Sequence, residues 1–259
     1  MTTTIDDLVG VGRSSKPRNT GLTMVIDTGF GVGFLDDHLA TCASHVDLAK
    51  LGFGTSMITD RLSDKLDTYR RHQVEPCFGG TLFELFHLHD ELDRYAALLR
   101  EHGITTVEIS DGVADMEPEV KLQLIERFAA EFTVLSEVGR KDASVVVAPA
   151  RWVASIRREL DAGATRVILE GRESGTAGLY RTSGEMRTGL VEEVLDAGFE
   201  TDRLVFEAPK KDHQTYLIRL LGPNVNLANI AVLDVIACES LRRGLRADTL
   251  LDFHPDIRG

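Results

Sequence analysis

Cysteine is scarce. Cys42, Cys77 and Cys238 are the only three in 259 residues, and no two form a CxxC pair. A disulfide framework is therefore excluded, and a reducing, cytoplasmic setting is expected. Long apolar runs are also missing. No stretch of 18 apolar residues and no N-terminal apolar h-region occurs, so neither a membrane span nor a secretory leader is expected, and no membrane partner. Positive charge is in deficit, with 29 Lys and Arg against 41 Asp and Glu, a formal net charge of −12. General nucleic-acid binding needs a basic face, so no nucleic-acid partner is expected. Small anions stay open, because a local cluster of cations can hold them. Histidine is absent from the strand-end groups described below, which argues against zinc. His87 and His89 read as surface residues of a helix. No linker, low-complexity tract or sequence repeat divides the chain.

What is present is a rhythm. Strand-like apolar runs stand at Thr23–Asp27, Val46–Leu51, Glu75–Phe78, Thr106–Asp111, Thr133–Val138, Arg166–Gly171, Leu204–Pro209 and Val225–Ile230. Between them lie segments with helical spacing, among them Leu62/Leu66/Tyr69, Leu82/Leu85/Leu88/Leu92, Val120/Leu124/Phe128 and Ile156/Leu160. Gly103, Gly163, Gly198 and Gly222 follow helical segments and read as C-caps. Eight strand–helix alternations predict an α/β fold, a single-domain (β/α)8 TIM barrel over residues 21–259, behind a polar N-terminal arm of residues 1–20. A doubly wound sheet is the competitor. Its GxGxxG turn is not matched by Gly29-Phe30-Gly31-Val32-Gly33, whose spacing differs.

Barrels place their chemistry at strand C-termini. The segment from Val167 to Gly175 starts as a buried strand and ends in Glu170, Gly171, Arg172 and Glu173. Charge there costs several kcal/mol per ion unless it has a partner or a ligand. Glu170 and Arg172, two apart, would share one side of a strand, either as a structural ion pair or as part of an active-site rim. The other strand ends supply Asp27, Lys50, Gly79-Gly80-Thr81, Glu108 with Ser110 and Asp111, Glu137 followed by Lys141, Glu207, and Asn226 with Asn229. Late glutamates on four consecutive strands suit a hard cation, and Mg2+ takes oxygen ligands while keeping several waters. Gly79-Gly80-Thr81 leads into a helix and could offer N–H groups to a phosphate. The arginines within Cys238–Arg246 read as helix C-terminal charge complementarity or a subunit contact. These residues support a Mg2+-dependent barrel enzyme acting on a small anion through Lys and Glu. They do not specify the substrate.

Several segments in order resemble the phosphosulfolactate synthase family. They are GLTMVIDTG (21–29), VDLAKLGFGTS (46–56), GGTLFE (79–84), VEISDG (107–112), LSEVGRKD (135–142), ILEGRESG (168–175), VFEAP (205–209), GPNVNLANI (222–230) and ESLRRGLRADT (239–249). The Lys16-Pro17-Arg18 arm resembles the bacterial branch. The resemblance implies a barrel lyase that adds sulfite to phosphoenolpyruvate with Mg2+, giving (2R)-2-O-phospho-3-sulfolactate. That product leads toward coenzyme M in methanogens and toward other sulfonates in some bacteria. It also implies a general-acid role for Lys141, which matches the family's lysine after the EVG motif. Read together, residues and resemblance assign catalysis to Lys141, Lys50, Glu108 and Arg172. They assign substrate binding to Asp27, Gly79, Gly80, Thr81, Ser110 and Asn226, and Mg2+ to Glu137, Glu170 and Glu207. A homo-oligomer is expected. Thr28 stands where many members carry Lys, a lost auxiliary cation that leaves room for a different nucleophile or enol substrate, and Arg140 stands where Lys or Ser is common. A non-catalytic stress-related homologue is the remaining alternative. Residues 176–187 read as a loop whose lid behaviour is open.

Overall fold

The structure, a computed structural model, describes residues 12–114, 116–139 and 147–254. Eight parallel strands pair in chain order and close on themselves, β1 meeting both β2 and β8. They are β1 (Thr23–Asp27), β2 (Leu48–Leu51), β3 (Glu75–Phe78), β4 (Thr106–Ile109), β5 (Thr133–Val138), β6 (Arg166–Leu169), β7 (Leu204–Glu207) and β8 (Leu227–Ala231). The surrounding layer holds α1 (Val32–Cys42), α2 (Leu62–Arg71), α3 (Gly80–Leu88), α4 (Leu92–Glu101), α5 (Pro118–Ala129), α6 (Pro149–Asp161), α7 (Thr188–Asp196), α8 (Lys211–Leu221), α9 (Val235–Arg242) and α10 (Leu250–Phe253). This is the single-domain (β/α)8 barrel expected from the alternation.

The strands are buried on both faces, and successive side chains take opposite sides. Val25, Ala49, Val107, Val134, Val167 and Phe206 join the large apolar cluster between sheet and helices. Met24, Cys77, Leu135, Ile168, Val205 and Ala228 form a separate cluster inside the barrel, with Leu48 packed against it. Two residues beyond Leu48, Leu135, Ile168 and Val205 come Lys50, Glu137, Glu170 and Glu207. Strand parity therefore turns each of these charges inward, above the apolar plug.

Several boundaries differ from the sequence reading. β4, β6 and β7 stop at Ile109, Leu169 and Glu207, where the chain turns away from the ladder to form the rim. The leucine run from Leu82 to Leu92 is two helices, because Asp90 takes a left-handed φ of 56° between α3 and α4. Gly103, Gly163, Gly198 and Gly222 all have positive φ, as helix-ending glycines should. Arg242, in the last turn of α9, turns into the protein. Fully buried, it donates to the carbonyls of Leu22, Pro223 and Val225 and ties α9 to the barrel floor. Among the described residues, no helix is long and apolar enough to cross a membrane.

β8 carries an irregularity. Thr23 pairs with Leu227, but Val25 pairs with Ile230, one residue out of step. The extra residue is Asn229, at φ 55°, a conformation that Asn tolerates better than most non-glycine residues.

Candidate active site

The inward charges open onto a cavity of about 490 Å3 at the C-terminal mouth. Lys50, Glu108, Glu137, Glu170, Glu207 and Arg172 all line it. Lys50 stands at its base, 4% exposed. Its Nζ lies 3.1 Å from Glu108 Oε2 and 3.1 Å from Glu207 Oε1. Burial alone would make the ammonium more acidic, but Glu108, Glu207, Glu137 and Glu170 outweigh it and hold the group well above the ordinary lysine range. Lys50 is thus a buried cation held in place by two carboxylates.

The two carboxylates that hold Lys50 are themselves anchored. Glu207 Oε2 accepts the Gly171 N–H at 2.9 Å, and Glu108 Oε1 accepts the Gly80 N–H at 2.7 Å. Gly80 opens α3, and only glycine fits there. A Cβ would collide with the Ser110 side chain and come within 3.0 Å of Glu108 Oε1. The missing side chain lets the N-terminus of α3 close against β4 and brings Gly79, Gly80 and Thr81 to the cavity wall. Arg172 departs from strand geometry, with φ 59° and its backbone N–H donating to Glu170 Oε1. Its guanidinium reaches the rim, 3.7 Å from Glu173, with the side chain 47% exposed. Glu170 and Arg172 therefore meet through the backbone in a turn, not side by side on a strand.

Three expected substrate contacts lie elsewhere. Asp27 is one position past the inward-facing Ile26, so it faces the helices. It accepts Lys65 and Tyr69 on α2 at 2.8 and 2.9 Å and the N–H groups of Gly29 and Phe30 at 2.8 and 3.0 Å. Ser110 donates to Glu84 Oε1 at 2.6 Å, and the other oxygen of Glu84 collects the N–H groups of Val113 and Ala114. Asn226 precedes β8 at the opposite mouth, bonded to Leu22 N, Asp202 O and Leu204 O. The bulge delivers Asn229 to the cavity instead, 4% exposed and with Oδ1 lacking a hydrogen-bond partner. Lys141 and Arg140 lie outside the described residues.

Other buried polar groups escaped the sequence reading. Lys121, on the apolar-patterned α5, meets Asp111 and Glu159 at 2.9 Å each and the carbonyl of Glu137 at 2.6 Å. Residues 176–187 form the expected loop, a series of turns packed down onto the barrel. Leu179 and Tyr180 are buried, Tyr180 bridges to Met186 in antiparallel fashion, and its hydroxyl donates to the Glu207 carbonyl. Tyr180 also stacks on His213 of α8 at 3.7 Å. Ion partners far apart in sequence leave no local signal for a single chain to show.

Among the described residues, no three carboxylate, histidine or cysteine side chains stand together at metal-ligand spacing. Glu207 is committed to Lys50 and Gly171, so Glu137, Glu170 and Glu207 do not form a ready-made triad. Glu137 and Glu170 stand at the ends of neighbouring strands and face one cavity. An oxygen-only pair beside an excess of negative charge fits Mg2+, which commonly takes one or two carboxylates and keeps its other positions for water and substrate.

Residues 11–248 match the family described as (2R)-phospho-3-sulfolactate synthase (ComA). A phosphosulfolactate synthase of Bacillus subtilis (strain 168) is 41% identical over 239 residues, 92% of this chain and 95% of that protein. One of Methanothermobacter thermautotrophicus is 42% identical over 250 residues, 94% of this chain and 96% of its own length. Among solved structures, a 3-hexulose-6-phosphate synthase superposes with a TM-score of 0.55 at 16% identity, covering 87% of this chain and 99% of the other. At that identity the likeness concerns the barrel alone.

Proposed function

The chain belongs to the (2R)-phospho-3-sulfolactate synthase family, a family of enzymes, and on that premise we propose that it is a Mg2+-dependent lyase adding sulfite to phosphoenolpyruvate. The product is (2R)-2-O-phospho-3-sulfolactate. Sulfite sulfur forms a bond to the methylene carbon, the double-bond electrons move toward the carboxylate, and a proton is added at the carbon bearing phosphate. Two anions must meet, and negative charge grows on one of them.

The observation that carries this reading is Lys50, a buried ammonium held between Glu108 and Glu207 at the base of a mouth rich in glutamates. A fixed cation stabilises developing charge without reorganising during the reaction. Glu108 and Glu207 act as positioning residues, each gripping Lys50 with one oxygen and a backbone N–H with the same or the other. Arg172 at the rim offers a guanidinium donor to phosphate or sulfite. Asn229 contributes a carboxamide aimed into the same space. Glu137 and Glu170 would hold Mg2+, which when bound acts as a Lewis acid toward the substrate carboxylate. Lys141 keeps the proton-donor role that the family resemblance gives it.

The test is direct. Purified protein with phosphoenolpyruvate, sulfite and Mg2+ should convert the enol phosphate signal in 31P NMR into that of an alkyl phosphate, with loss of sulfite. No conversion in the presence of both substrates and Mg2+ overturns the reading. Conversion that occurs only with another nucleophile keeps the enol phosphate pocket and replaces sulfite.

A further inference from the structure

At the opposite end of the barrel, where the strands begin, lies a cavity of about 680 Å3 with a cationic lining that no part of the chemistry above uses. Lys16 and Arg18 reach it from the arm and Arg166 from the start of β6; Asp47 and Glu75 share the wall. The acids are already engaged. Asp47 Oδ2 accepts the Thr23 N–H at 2.8 Å and its Oδ1 lies 3.2 Å from Arg18 Nε, while Glu75 Oε1 accepts the hydroxyls of Thr105 and Thr106. The cations are satisfied only in part. Lys16 Nζ donates to the carbonyls of Ala43 and Gln73 at 2.9 and 2.8 Å. Arg166 donates to the carbonyls of Asp202 and Asn19, each at 3.1 Å. Among the described residues neither has a carboxylate within ion-pair distance. Arg18 gives one end of its fork to the Ser44 carbonyl, but Nη1, on a side chain 3% exposed, is buried with no hydrogen-bond partner.

A buried guanidinium N–H without an acceptor is costly, and native structures seldom leave one unless an unrecorded ligand or water completes it. Three cations against two acids also leave this floor positive inside a chain of formal charge −12. Burial is the largest influence on Lys16, Arg18 and Arg166 and makes all three more acidic than usual, so their positive charge is under-compensated. An anion among them would reverse that.

We infer that the floor of the barrel is a second anion site, distinct from the catalytic mouth, which takes one small oxyanion of the phosphate type against Arg18, Lys16 and Arg166. Because two of these cations belong to the arm and one to β6, the bound anion fastens the arm to the barrel. Guanidinium forks suit the paired oxygens of such a ligand.

The experiment is calorimetric titration of the full chain with inorganic phosphate, in magnesium-free buffer, for the wild type and the variants Arg18→Gln, Arg166→Gln and Arg172→Gln. One binding event should persist in R172Q, at the other mouth, and weaken at least about tenfold in both R18Q and R166Q, since each removes a charge-assisted donor. Absence of any event in the wild type overturns the inference, as does an event weakened only in R172Q. Circular dichroism checks that the variants fold. Should R18Q fail to fold, R166Q decides, because its guanidinium touches only two carbonyls. Repeating the titration with glycerol phosphate separates an organic phosphate, whose binding R18Q would weaken equally, from inorganic phosphate. The readout is binding at the far end of the barrel, so its failure would leave the proposed activity standing.

Discussion

Lys50 shows at the scale of one residue why burial and charge must be weighed together. Removing water from an ammonium is expensive, yet four carboxylates around it reverse the balance and keep it charged. Its folded pKa lies above the unfolded value of 10.5, so its stabilising contribution is complete below that pH and fades only as pH climbs through the raised folded value. Lys50→Met would leave Glu108 and Glu207 buried without their cation, at a cost of about 3–5 kcal/mol near neutrality. Lys50→Arg keeps a cation between the two carboxylates, so urea unfolding should show a smaller deficit for K50R than for K50M; an equal deficit in both would contradict the ion-pair account. Asn229 permits a cleaner test of function. Asn229→Gly keeps the left-handed backbone and removes only the carboxamide. Unfolding free energy should stay close to wild type while kcat/KM drops about tenfold or more, the worth of one buried polar contact to substrate.

Elements make a different use of the same chemistry. Asp27 joins the end of β1 to Lys65 and Tyr69 of α2, all three buried. Asp27→Ala leaves a buried ammonium and a buried hydroxyl without an acceptor, and should cost about 3–5 kcal/mol in denaturant unfolding. Activity per folded molecule should survive, which a substrate contact would not allow. The excursion over residues 176–187 is held by Tyr180 stacked on His213, whose Nε2 lies 2.9 Å from the Gly184 carbonyl. Burial, the largest influence, lowers the His213 pKa below 6.5. The unfolded chain therefore binds the extra proton first, so this clip contributes fully above about pH 6.5 and weakens as pH falls below it. His213→Phe keeps a stacked ring without a titrating group. Its unfolding free energy should decline less steeply than that of wild type between pH 7 and pH 5.5; parallel slopes would remove His213 as the cause.

For the molecule as a whole, the two mouths of the barrel are electrically opposed. The catalytic mouth sets five glutamates against Lys50 and Arg172, while the floor sets three cations against two acids. Mg2+ at the acidic mouth should therefore stabilise the whole fold. At about 100 times its dissociation constant, a ligand that binds only the folded state adds about 2.7 kcal/mol. Differential scanning calorimetry should show Tm rising with Mg2+ and falling back with a chelator, and Glu137→Gln should blunt the rise. A Tm indifferent to Mg2+ would remove the metal from the mouth.

The sequence by itself determined the barrel and the charged ring at its mouth. Both are written in local periods: two along a strand, 3.6 along a helix, with glycines where helices stop, as at Gly103 and Gly163. Lys50, Glu137, Glu170 and Glu207 were legible because each is a charge at the end of a strand-like apolar run. Only the tertiary structure decided how those charges are shared. Lys50 and Glu207 are 157 positions apart, and nothing near either one announces the other. Asp27 and Ser110 sit at strand ends, yet their partners Lys65 and Glu84 lie on helices that draw them away from the cavity. A one-residue bulge chose Asn229 over Asn226, and a left-handed turn moved Arg172 off its strand. Pairing across a closed barrel depends on register and on which helix packs where, and neither quantity is a property of any local stretch of chain.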